Sequence, residues 1–492
     1  MRRSSHLRAA CILGLPLLAS CDGGVTNPTL QAKRDYEVWL IDQSDSRGKT
    51  YGGTLYIHQK AAIESATGVS AGTPATIDLG GEVSALCLAS TGANAVRPHM
   101  LMFNSTSSHA ILAFVASGHV VIFDADGRRP VACLRASAGT NAGRQAHAAT
   151  PAPDDSYILV ANQNGKLLQR INTNYTTNQY SLDTAATLDL TSCTTPSGAA
   201  CQSAELRPDN APIVPTITAD SRLAYVTLRG GGLFIVDPKS SPMKIRAEYD
   251  KTTIAGSGLM GMQIGDKVVV NAGGGFFAYR FSPAEVAATN APNRPAPTAL
   301  LTQVSSARDG HGMTATGRGK FVWITDRATD VAEVFEVASG RRSTVSFASS
   351  MSPKPAPDIA DVSPAGDLLF VALRGPTPLS GGALAIGSTP GLGIMKLSAS
   401  GESGTLQGLL RISNLDGTVE RADAHAVRVR VKPSMSGFRA VVVRLGRMMR
   451  SRQLYAQVLP QPPHKPRPSA VVVAYGADNK PQECDHETVA RR

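Results

Sequence analysis

The stretch Leu223-Ala224-Tyr225-Val226-Thr227-Leu228, followed by Gly230-Gly231-Gly232 and Leu233-Phe234-Ile235-Val236-Asp237, decides the fold. Two short runs of β-branched, aliphatic and aromatic residues flank a glycine triplet. Runs this short suit strands, since helices of globular proteins usually need about 10 residues or more. The glycines supply the positive φ angles of a tight reversal, so the whole reads as a β-hairpin.

The same phrase recurs on both sides. Val38 to Ile41 returns through Leu55 to Ile57, Ile111 to Val115 through Val120 to Asp124, and Tyr157 to Ala161 through Leu167 to Ile171. Downstream, Val268 to Asn271 returns through Phe276 to Phe281, Phe321 to Thr325 through Val331 to Val337, and Leu368 to Leu373 through Ile394 to Leu397. The return strands begin 43 to 66 residues apart. A four-stranded blade takes about 40–50 residues, so seven copies between Asp35 and Ser413 predict an all-β, seven-bladed β-propeller with variable insertions. A pair of β-sandwiches would not repeat one hairpin phrase.

The fourth copy, with Tyr225-Val226-Thr227-Leu228, resembles the YVTN-type repeat of bacterial seven-bladed propellers, with Leu228 where that family usually has Asn. The resemblance implies the propeller fold of the lactonase-like superfamily. It selects no activity, because lactonase-like enzymes, surface antigens and binding scaffolds share that repeat.

The chain of 492 residues carries 49 Lys and Arg against 38 Asp and Glu, a formal net charge of +11. Three of the positive residues lie in 1–20 and 14 lie in 421–492, beside five acidic ones; the stretch from Cys21 to Glu420 keeps 32 basic and 33 acidic residues. The body is therefore near neutral, and no nucleic-acid partner is expected.

Arg2, Arg3 and Arg8 precede an apolar run from Ala9 to Leu18, too short to span a bilayer and suited to a signal h-region. Leu18-Ala19-Ser20-Cys21 resembles the lipobox of bacterial lipoproteins. That resemblance implies cleavage before Cys21, lipidation of its thiol, and a periplasm-facing, membrane-tethered protein of the cell envelope. Asp22 resembles an inner-membrane retention signal. The expected divisions are a signal peptide over 1–20, a tether over 21–34, the propeller over 35–432, and a weakly ordered, basic, Pro-rich tail over 433–492. The tail is also readable as an out-of-frame artefact. Residues Ala426 to Lys432 or Ala440 to Leu445 are candidates for a strand closing the first blade.

In such a compartment disulfides persist. Cys193 and Cys201 bracket a polar loop and suit a local staple; Cys87 and Cys133 are a cross-strand pair or free buried thiols, and Cys484 is left over.

Three motifs carry no chemistry here. Gly256 to Gly261 spells G-x-G-x-x-G but lacks the strand–loop–helix setting of a dinucleotide site. Gly68-Val69-Ser70-Ala71-Gly72 spells a nucleophile elbow without an α/β-hydrolase frame, leaving Ser70 a loop serine. Asp124-Ala125-Asp126-Gly127 reads as a hairpin turn, not a calcium loop.

One constellation does carry chemistry. His147 and His311 each stand ten residues before the apolar run of their copies, His99 twelve before, and Asp358 ten before; His425 precedes Val427 to Val431 in an Asp-Ala-His setting. Equivalent places on successive innermost strands converge on the channel of a propeller. His99, His147, His311, Asp358 and His425 therefore form a candidate ligand site at the channel mouth, able to hold a metal or act as acid and base. Asp309, Asp361 and Arg308 are available for a lactonase-like site. No cofactor is expected from any motif, and a metal at the histidines is the alternative. The leading expectation is a monomeric binding or scaffold module for a protein or ligand of the envelope, presenting insertions such as 183–212 and 375–391; the alternative is a hydrolase or metal-binding protein using the channel mouth.

Overall fold

The computed structural model describes residues 34–289, 294–379 and 385–432, with the backbone of short pairings at 474–475 and 481–482. Each apolar run identified in the sequence is a buried strand, and each hairpin is antiparallel. In the fourth blade, Pro212–Ile217, Ala224–Leu228, Leu233–Asp237 and Lys244–Tyr249 lie side by side in chain order. Its second and third strands pair Ala224 with Val236 and Thr227 with Leu233. Gly231 and Gly232 in the turn both have φ near +86° (86° and 87°), a region where a side chain would be strained.

Seven such sheets form the propeller. Their innermost strands are Pro98–Phe103, Ala146–Pro151, Pro212–Ile217, Ser257–Ile264, Gly310–Thr316, Pro357–Val362 and, from the far end of the chain, Ala424–Val431. Each packs on the next, and Ala424–Val431 packs on Pro98–Phe103, which closes the ring. Ala424–Val431 also pairs with Tyr36–Asp42, so the first blade is built from both ends of the described chain. A propeller needs this joint because the edge of an open ring would expose unpaired backbone.

Strand faces between blades are apolar and almost fully buried, with Trp39, Phe123, Phe234 and Phe335 among the largest side chains. Among the described residues no helix is long and apolar enough to cross a membrane.

Several expectations are refined. Cys193 is bonded to Cys201, and Cys87 to Cys133. The second bridge is not cross-strand: Cys87 sits on the helix Glu82–Thr91, which packs on the outer strand Arg129–Arg135. Gly68–Ser70 is a short strand added in parallel to the outer edge of the seventh blade, with Ser70 exposed. Gly258 to Gly261 lies within an innermost strand, Ser257–Ile264. The Asp124 carboxylate accepts the Asp126 and Gly127 amides, as in an Asx turn. Cys21, Asp22, Cys484 and nearly all of the tail lie outside the described residues.

Candidate metal centre

Every innermost strand breaks register near its start. In the second blade Pro98 faces Phe114 and Met100 faces Ala113, which leaves His99 unmatched. The same break falls at His147 in the third blade and spans His311, Asp358 and His425 in the sixth, seventh and first. In the fourth and fifth blades it spans Ile213 and Leu259. A bulge re-aims a side chain without ending the strand, and here it does so at one place per blade. The five polar residues singled out in the sequence are thereby gathered at the axis, His99, His311, Asp358 and His425 buried and His147 half-buried.

The rings form a chain. His147 and His99 meet edge to face with centroids 4.6 Å apart, His99 stacks on His425 at 3.9 Å, and His425 meets His311 at 5.6 Å. Their outer nitrogens are committed. The Nδ1 of His147 lies 3.0 Å from the carbonyl of Ile213, which only accepts, so that nitrogen carries the proton. Gln43 donates its amide to Asp423 at 3.4 Å and turns its Oε1 toward the Nδ1 of His99 at 2.9 Å, so this nitrogen is protonated too. Both Nε2 atoms then carry lone pairs, and they face each other at 3.3 Å.

His425 is arranged likewise. Its Nδ1 donates to Asp358 Oδ2 at 2.9 Å, and its buried Nε2 finds no partner among the described residues. The Nε2 of His311 lies 3.2 Å from Asp358 Oδ1, and its Nδ1 has no partner among the described residues. Donor atoms of His311, Asp358 and His425 lie within 4.8 Å of one another.

A buried polar circuit holds these groups. Arg374 donates from Nη1 to Asp358 at 2.9 Å and from Nη2 to Asp423 at 2.7 Å, while Arg327 binds Asp309 at 2.6 Å and approaches Asp358 at 3.5 Å. Burial, then the neighbouring imidazoles, push His99 well below the usual range; burial and the Arg327 charge do the same to His311. Burial first, then His425, lowers His147 to about 4 despite the Ile213 bond. Burial works against ionisation of Asp358, but His425, His311 and Arg327 outweigh it and hold the carboxyl well below its ordinary value. Burial thus favours the neutral form of His99, His147 and His311 beside one carboxylate, the donor set of zinc and its neighbours.

A cavity of about 630 Å³ opens over the centre, bounded by His99, His147 and His311 and by Arg97, Arg229, Arg308, Arg327 and Asp309. Of the residues offered for a lactonase-like site, Arg308 and Asp309 line this cavity but are engaged with Asp326 and Glu333 and with Arg327. Asp361 does not line it; its carboxylate accepts the Val429 amide at 2.8 Å.

Sequence reasoning missed Gln43, Arg327, Arg374 and Asp423. The first three obey a rule legible in the repeat: each directly follows the second strand of its blade, as do Gln163 and Arg229, which line the cavity.

No family model matches the chain, and no curated protein matches it. Solved structures do. A periplasmic gluconolactonase of Pseudomonas aeruginosa superposes with a TM-score of 0.51 at 12% identity, covering 80% of this chain and 100% of that one. A protein from Lactobacillus plantarum superposes with a TM-score of 0.50 at 11% identity, covering 80% and 99%. At such identities the likeness is one of fold.

Proposed function

We propose that the protein binds a divalent transition-metal ion, with zinc the first candidate, in the mouth of its axial channel. His99 and His147 are the ligands, and His425 is the ring stacked on His99. One observation carries the reading: two imidazoles whose outer nitrogens are spent as donors turn bare Nε2 lone pairs toward each other at 3.3 Å. Without a cation between them that contact is repulsive, and burial disfavours the proton that would relieve it. Two Zn–N bonds of ~2.0–2.1 Å at a tetrahedral angle place their nitrogens about 3.4 Å apart, close to the spacing seen. The Asp358–His425 pair holds the ring stacked on His99 in place, since a carboxylate on its Nδ1 fixes that ring's orientation.

The lipobox-like Leu18 to Cys21 supports placing this site on the periplasmic face of a membrane through lipidated Cys21. The scaffold role rests on the length of the insertions alone, and no contact argues for it as this pair argues for metal. A lactone-hydrolysing role would draw on an open position of the bound ion.

The test is metal analysis of the full-length protein purified through a tag free of histidine. About one equivalent of zinc or copper is expected, lost in the His99→Ala/His147→Ala variant while far-UV circular dichroism stays unchanged. A wild-type protein that takes up no metal after dialysis against micromolar zinc overturns the reading.

A further inference from the structure

The mouth over the histidines is rich in cations, and most of them are already matched. Arg229 is held by Asp209, Arg308 by Asp326 and Glu333, and Arg327 by Asp309. Arg97 is the exception. Among the described residues its guanidinium makes no hydrogen bond or ion pair, and Asp45 feels its charge without touching it. Its backbone is unusual as well: φ is +60° directly before Pro98, a place where a side chain is strained and where proline disfavours the helical regions. Arg97 thus stands, on a strained joint, two residues before the ligand His99 and on the wall of the same cavity.

The metal would add to this excess. Neutral imidazoles do not offset a divalent ion, and Asp358, the carboxylate nearest them, is already shared with Arg374 and Arg327. We propose that the cavity receives a small dicarboxylate, one carboxylate completing the coordination of the bound ion and the other held by Arg97. This inference rests on the metal reading and adds the class of ligand to it. A planar guanidinium grips a carboxylate through two parallel hydrogen bonds, which suits Arg97 better than a lysine would. Gln145, Gln163 and Ser257 border the same space and offer polar groups to a ligand hydroxyl. The volume of about 630 Å³ lies within the usual range for small-molecule pockets.

The probe is L-malate, a weak chelator, titrated calorimetrically into the zinc-loaded full-length protein and into the metal-free protein. Sub-millimolar binding is expected only when zinc is present, with dimethyl malate failing to bind. Arg97→Gln should weaken malate at least tenfold at unchanged zinc content, and Arg97→Lys should recover only part of it. Zinc-loaded protein that ignores malate, binds its diester equally, surrenders its zinc to malate, or is indifferent to Arg97→Gln overturns this inference and leaves the metal site standing. Failure to load zinc retires both.

Discussion

The Nδ1 of His425 lies 2.9 Å from the Oδ2 of Asp358, and these two residues face each other between the seventh blade and the strand that completes the first. Asp358 belongs to the seventh blade, whereas His425 sits on the strand that completes the first. Arg374 ties the same carboxylate to Asp423, and Gln43 links Asp423 back to His99. The candidate metal centre and the closure of the fold are therefore one polar assembly, and perturbing either should register in the other.

Asp358→Asn keeps the volume and removes the charge. His425 loses the carboxylate that orients it, and the buried Arg374 loses one of its carboxylate partners. Metal affinity should fall as the ring stacked on His99 is released, and stability by roughly 3–5 kcal/mol. Competition with a chromogenic chelator reads the first and urea unfolding the second; an unaltered affinity would remove Asp358 from the site.

Acid should empty the centre. His147 binds its proton only near pH 4, well below its ordinary 6.5. The folded protein therefore holds fewer protons than the unfolded chain between these values. The stability contributed by neutral His147 is complete above pH 6.5 and declines as pH falls toward 4. Bound zinc should survive at pH 6 and leave as the solution passes about pH 4. In the metal-free protein, His147→Gln should flatten the loss of stability between pH 6.5 and 4; an unchanged slope would place that loss elsewhere.

Metal should tighten the joint more than the outer blades. Hydrogen exchange of 424–431 and 36–42 should slow on adding zinc, while the outer strand Lys244–Tyr249 stays unchanged. Uniform protection of every blade would show that the ion acts on global stability and not on closure.

Gly312 admits the sixth blade close to the seventh. A Cβ there would stand 2.3 Å from the Asp358 carbonyl and 2.8 Å from the Ile359 Cα, both backbone atoms that cannot swing away. Gly312→Ala should shift the strand bearing Asp358 and cost at least tenfold in metal affinity, as read by the same chelator.

The two disulfides should differ in weight. Cys87–Cys133 spans 46 residues and Cys193–Cys201 spans 8. Loop-closure entropy assigns about 4 kcal/mol to the first and about 2.5 kcal/mol to the second. Paired Cys→Ala variants compared by urea unfolding should show that order; equal losses would mean the unfolded chain is already compact near the helix Glu82–Thr91.

By itself the amino-acid sequence determined the strands, the turns and their number. Leu223 to Asp237 and its six relatives are local statements, in which alternating burial, β-branched residues and turn glycines act within a dozen positions. The repeat also marked His99, His147, His311, Asp358 and His425 as equivalent, because a bulge at one position per blade leaves a periodic trace in the spacing. What binds them together was not written there. That Gln43 would meet Asp423, 380 residues away, and that Arg374 would join Asp423 to Asp358, depends on the ring closing on itself. Tautomers and protonation were equally out of reach, since burial and the partner on the far nitrogen set them, and neither exists until seven strands converge on one axis.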